Sequence, residues 1–124
     1  MFGLLADQGV GSIPWSPLAK GRLARPYGEQ TARSGSDPIG QRFFGHGDKE
    51  IIEAVQAVAH ARGIPMAQVA LAWVLENPVV AAPIVGPTRP HHLADAAAAL
   101  DVHLTEEEIH SLEEPYTVRQ PTGY

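Results

Sequence analysis

Residues 79–96 set the narrowest limits on how this chain folds. Val79 to Val85 is an apolar run of the length of a buried strand. Gly86 ends it, and Pro90 then stands where the first turn of a helix tolerates a missing N–H. A strand, a tight loop and a helix start thus follow one another directly. N–H groups at a helix start favour an anion, and Arg89 brings a planar set of charged donors suited to phosphate. Two readings follow: a phosphate site at the carboxyl end of a strand, or an ordinary strand-to-helix connection whose arginine is solvated. These residues alone favour the second, since one glycine beside one arginine is a common loop composition.

A second strand-like run lies earlier, at residues 10–15, Val-Gly-Ser-Ile-Pro-Trp. Pro14 is awkward in a central antiparallel strand because it has no N–H for the ladder. The loop after it, Ser16-Pro17-Leu18-Ala19-Lys20-Gly21-Arg22-Leu23, combines a hydroxyl, two cations and a glycine that lets backbone approach a ligand. It reads either as a second anion loop or as a solvated basic turn. Residues 1–8 look like the last turns of an apolar helix, broken by Gly9 and Gly11, so the chain is expected to have lost a preceding part. Residues 24–47 are rich in Gly, Pro, Ser and charge with no helical or strand period. A loop of that length is a functional flap or a disordered segment, with Phe43 and Phe44 as its expected anchors and His46 without a visible partner.

From Asp48 the period becomes helical. Asp48 and Glu50 suit a first turn, and Ile51, Ile52, Val55, Val58 and Ala59 share one face. Gly63 is placed as a stop. Pro65 opens a helix to about Glu76, and Val69, Leu71, Ala72, Trp73 and Leu75 predict deep packing. A third helix runs from Pro90 to about Leu100 with the stripe Leu93, Ala96, Ala97 and Leu100. Its adjacent His91 and His92 face different directions, which makes them poor joint metal ligands. Thr105 and Glu108 form a capping box for a last helix that buries Ile109 and Leu112. Glu106 to Glu108 suit the positive end of that helix, and residues 115–124 read as a tail.

Composition narrows the function classes. The 124 residues are 44% hydrophobic with a formal charge of -5, against a general nucleic-acid binder. With no cysteine there are no disulfides or thiolate metal sites. No apolar run approaches the ~20 residues of a membrane span, and the start lacks a signal peptide's basic segment. The expectation is a cytoplasmic protein without nucleic-acid, membrane or metal partners.

The order strand, long loop, two helices, strand, helix, helix predicts an α/β fold with parallel strands. Two strands are too few, because a parallel pair needs cover on both faces and neighbours on both edges. The chain therefore reads as a piece of something larger, apt to self-associate through its open edges.

Three stretches carry a resemblance to the aldo-keto reductases, the NADPH-dependent oxidoreductases built on a TIM barrel. They are Ile13 to Leu23, Gln68-Val69-Ala70-Leu71-Ala72-Trp73-Val74-Leu75, and Pro83 to Leu93, in the family's order and at compatible spacing. The likeness covers about Leu4 to Glu114 and leans toward the bacterial branch related to potassium-channel β subunits, judged from Ile-Pro-Trp-Ser-Pro-Leu. It implies the C-terminal fragment of a (β/α)8 barrel, with residues 1–114 as the C-terminal portion of the reductase domain and two parallel strands, the seventh and eighth, flanked by helices.

The resemblance also implies a cofactor, NADP, held after those two strands, where barrels keep their phosphate sites. By position, Ser16, Pro17, Leu18, Lys20 and Gly21 match the pyrophosphate loop, and Gly86, Thr88 and Arg89 match the grip on the adenosine 2′-phosphate. His92 stands at a position usually Gln and Asp95 at the usual acidic one, both against the adenosine, while Ala96 replaces the usual Asn. The family's tetrad of Asp, Tyr, Lys and His belongs to the first half of the barrel, so no catalytic residue is assigned here; Tyr27, Tyr116 and Tyr124 match no catalytic motif. The implied activity is reduction of aldehydes or ketones to alcohols, with this portion inactive alone. The alternative is a non-catalytic module from a truncated barrel that associates with another chain. A regulatory nucleotide-binding domain would need a complete cofactor site, and about half of one is present.

Overall fold

The computed structural model describes residues 1–29 and 48–118. Within them lie five α-helices: α1 (Phe2–Asp7), α2 (Asp48–Arg62), α3 (Met66–Leu75), α4 (Pro90–Ala98) and α5 (Glu106–Glu113). Two 3-10 segments, Ala19–Ala24 and Ala99–Asp101, accompany them. The part of the expected long loop from residue 30 onward, including Phe43, Phe44 and His46, lies outside the described residues, as does the tail beyond residue 118. Among the described residues no helix is long and apolar enough to cross a membrane.

The core lies among α2, α3 and α5, where the helical period places it. Ile52, Val55, Val58 and Ala59 of α2 pack with Met66, Val69 and Ala72 of α3, and Leu104 and Leu112 close the cluster. Burying each of the valine, leucine, isoleucine and methionine side chains contributes about 1.5–3 kcal/mol. Gly63 ends α2 at a φ of 66°, a left-handed conformation that glycine adopts without strain. Pro65 caps α3, whose Ala70 and Leu71 are buried as well. Trp73 departs from the expected deep packing. It is 43% exposed, and its indole N–H donates to Glu113 Oε1 at 3.1 Å.

A polar clamp fastens α5 to α2. Arg62 donates from Nε and Nη2 to the two oxygens of Glu108, both at 2.6 Å, and from Nη2 to the His103 carbonyl at 2.7 Å. Glu108 also completes the expected capping box: its N–H donates to Thr105 Oγ1 at 3.2 Å, and its Oε2 accepts from the Thr105 N–H at 2.7 Å. The Arg62 hydrogen bonds, followed by the Thr105 N–H, hold the Glu108 carboxyl down at about 2. The same pairing raises Arg62.

The two strand-like runs meet in parallel, but not as continuous strands. They form two isolated bridges, Ser12 with Val80 and Trp15 with Ile84. The Ser12 N–H donates to the Val79 carbonyl at 2.6 Å, and the Ala81 and Ile84 N–H groups donate to the Ser12 and Pro14 carbonyls, each at 2.8 Å. A regular ladder would next use the N–H of residue 14 and then that of residue 83. Both are prolines and have none. Ile84 donates to Pro14 in place of Pro83, and the register moves by one residue between the bridges. No residue of either run is buried; Trp15 is 76% and Ile84 52% exposed.

α4 starts at Pro90 as expected and passes into the 3-10 segment at Ala99. Its predicted stripe is not a buried face: Leu93 and Leu100 are exposed, while Ala99 is buried. The described residues give those leucines no cover.

Candidate functional site

Because the two runs pair in parallel, their carboxyl ends share one side, and the loops that follow leave from it. The first loop, Ser16 to Gly21, is wound the unusual way: Ser16, Ala19, Lys20 and Gly21 all have positive φ, of 54°, 47°, 57° and 85°. Non-glycine residues in that region cost on the order of 1 kcal/mol each, and such strain gathers at ligand clamps. The loop is held by its own bonds: the Ala19, Gly21 and Leu23 N–H groups donate to the Ser16, Leu18 and Leu18 carbonyls. The Lys20 N–H donates to Ser16 Oγ at 3.3 Å. Pro17 and Leu18 are half-buried in the turn. With those amides engaged, the loop can meet an anion through the Ser16 hydroxyl and its cations.

Gly21 has a local cause as well. A Cβ there would collide with Nη2 of Arg25, whose Nε donates to the Gly21 carbonyl at 2.9 Å. Arg25 thus folds back over the loop, a cation that the sequence reading passed over because it sits past the motif in a stretch without period. Arg22 turns toward the buried Asp48, 3.9 Å away.

The second loop holds Gly86, Thr88 and Arg89, all exposed. Arg89 is the N-cap of α4, with no side-chain cap bond, and its side chain makes no hydrogen bond or ion pair among the described residues. His92 reaches back from the first turn of α4: its Nδ1 accepts the Thr88 N–H at 3.4 Å and lies 3.3 Å from Thr88 Oγ1. Asp95, one turn further, accepts from Gln68 Nε2 of α3 at 3.4 Å. So His92 and Thr88 come together, as do Ser16 and Lys20, whereas Asp95 is engaged toward α3. An uncapped helix start with an arginine as its cap is chemistry that a phosphate fits.

The two loops thus leave the same end of a parallel pair, the end at which α/β proteins commonly place their ligand loops. The aldo/keto reductase family model matches residues 1–116. Versiconal hemiacetal acetate reductase of Aspergillus parasiticus is 44% identical over 121 residues, covering 94% of this chain and 35% of that protein. An aldo-keto reductase of Fusarium vanettenii is 41% identical over 125 residues, covering 95% and 32%, and one of Alternaria alternata 39% over 118 residues, covering 94% and 32%. The chain belongs to the aldo/keto reductase family, oxidoreductases that use nicotinamide nucleotides and adopt a TIM barrel. It spans about a third of the length of these relatives.

Proposed function

We propose that this chain is the C-terminal, cofactor-holding portion of an NADPH-dependent aldo-keto reductase that reduces aldehydes or ketones to alcohols. Residues 1–114 belong to the reductase domain and residues 115–124 form a tail. The supporting observation is the parallel pairing, which sends the Ser16–Gly21 and Gly86–Arg89 loops off the same side. In this reading Ser16, Pro17, Leu18, Lys20 and Gly21 hold the pyrophosphate, and Gly86, Thr88 and Arg89 hold the 2′-phosphate. His92 and Asp95 lie along the adenosine.

NADPH supplies a hydride to the carbonyl carbon. The carbonyl oxygen then takes a proton from a positioned acid, and none of the tyrosines here matches a motif for that role. This portion binds and orients, and it does not turn over alone. A charge-assisted hydrogen bond contributes about 1.5–3 kcal/mol, so Arg89→Ala should weaken NADPH roughly 10- to 100-fold and leave NADH nearly unchanged. Titration of both forms with both cofactors tests this, alongside an NADPH-oxidation assay with simple aldehydes. Equal losses for the two cofactors would refute the role of Arg89, and turnover by the pure chain would refute the division of labour.

A second reading is a non-catalytic module that associates with another chain or another copy. The exposed Ile13, Trp15 and Ile84 favour it, since they line the pair with nothing over them among the described residues. Sedimentation decides this: the module reading expects oligomers, and a stable monomer with a sharp melt contradicts it.

A further inference from the structure

We infer that His92 sets the selectivity of the second loop for phosphate, by competing with the ligand for Thr88 when neutral and joining Arg89 when charged. The inference rests on the proposal that Thr88 and Arg89 take a 2′-phosphate. Its origin is the contact between Thr88 and the His92 ring. His92 is the third residue of α4, the position from which a glutamate or glutamine reaches back to the N-cap N–H in a capping box; Glu108 does so in α5. The His92 ring reaches one residue further and takes the Thr88 N–H on Nδ1 at 3.4 Å, with Thr88 Oγ1 at 3.3 Å. Both contacts are long for hydrogen bonds, so they are readily surrendered. They nonetheless occupy the two polar groups of Thr88 that a phosphate beside Arg89 would need.

A ring nitrogen accepts an N–H only while it carries no hydrogen itself. Neutral His92, bare at Nδ1, fills the place of the anion. A proton added at Nδ1 ends that: the Thr88 N–H is released, Nδ1–H can donate to Thr88 Oγ1 and so leave the hydroxyl's own hydrogen to a ligand, and the ring contributes a positive charge next to Arg89. Both changes favour a phosphate and neither favours a ligand without one. The charged and titratable groups around the ring are Arg89 at the cap, His91 with its ring centroid 4.4 Å away, and Asp95 one turn on. From α3, packed against this helix, the group that reaches it is the neutral Gln68 amide, engaged with Asp95. Imidazoles change charge between about pH 5 and 8, so selectivity for the phosphorylated nucleotide rises as pH falls.

The test is binding of adenosine 2′-phosphate, with adenosine as control, to wild type, His92→Gln and Arg89→Ala at pH 8.0 and 6.0. Glutamine keeps a hydrogen-bonding amide but takes no proton, and the ligand's own protonation cancels in the ratio of the two affinities. The expected ratio of wild-type to His92→Gln affinity rises roughly three- to tenfold from pH 8.0 to 6.0, with adenosine unaffected. Arg89-dependent binding with a constant ratio would overturn the role of His92 and leave the phosphate site standing. Absence of binding, or binding that ignores Arg89→Ala, would overturn both. Histidine-resolved NMR of the wild type checks the point without any variant. Saturating ligand should displace the Thr88 N–H from Nδ1 and so shift the His92 ring resonances, and resonances unmoved by bound ligand would overturn the inference.

Discussion

Ile52 and Ile84 are the same residue in two different situations. Ile52 is 4% exposed in the helical cluster, and Ile84 is 52% exposed in the parallel pair. Helices α2, α3 and α5 find partners for their apolar faces in one another, so those faces close. The pair carries apolar residues too, but parallel strands need layers above and below, and the described residues supply neither. Apolar character is thus a demand that only neighbours can meet. In this chain the helical cluster and the paired runs that bring the Ser16–Gly21 and Gly86–Arg89 loops to one side are different places.

The largest effect expected from that contrast is on stability. Ile52→Ala should lower the unfolding free energy by about 2–4 kcal/mol, the usual cost of a cavity in a packed core. Trp15→Ala should cost less than about 0.5 kcal/mol, as at other exposed sites. Urea midpoints measure both, and amide exchange should be fast at Ser12, Ala81 and Ile84 and slow within α3. Comparable losses for the two variants would show that the pair is covered after all.

Breaking the clamp on α5 comes next. Arg62→Ala should cost about 1–2 kcal/mol at neutral pH, discounted for its partial exposure to solvent. The sign of the pH effect follows from Glu108, whose folded value of about 2 lies below its ordinary 4.5. The stability it lends is fully present above pH 4.5 and is lost as pH falls toward 2. The difference between wild type and Arg62→Ala should shrink across that window, and urea melts at pH 7, 4 and 2.5 measure it. A difference independent of pH would assign the loss to packing of the arginine stem.

How much of this was legible depended on how local its cause was. The faces of α2 and α5, the stop at Gly63, the start at Pro90 and the box of Thr105 with Glu108 rest on spacings of a few residues, and they stand as read. The parallel direction of the pair was legible from the strand and loop order, but its broken register was not. That register depends on Pro14 and Pro83 falling opposite each other, which no single segment reveals. The leucines of α4 misled because a helical stripe says that a face is apolar and not that anything covers it. Arg62 was invisible as a clamp because its partner lies far along the chain, and the acidic run at Glu108 already had a local explanation in the helix dipole. At the site, Arg89 as the helix cap was readable from Pro90. The grip of His92 on Thr88 and the fold-back of Arg25 onto Gly21 required side-chain directions.

The bridge between Ser12 and Val80 also has a consequence in time. Contacts between residues near in sequence form early, and closing a long loop is costly until something shortens it. Helices α2 to α5 follow one another along the chain, so their assembly is expected to come before the meeting of residue 12 with residue 80, an order that pulsed hydrogen exchange during refolding checks. The step expected last is then the one that brings the Ser16–Gly21 and Gly86–Arg89 loops to the same side. A nucleotide gripping both loops would act on that final step, drawing a half-finished molecule to completion by mass action.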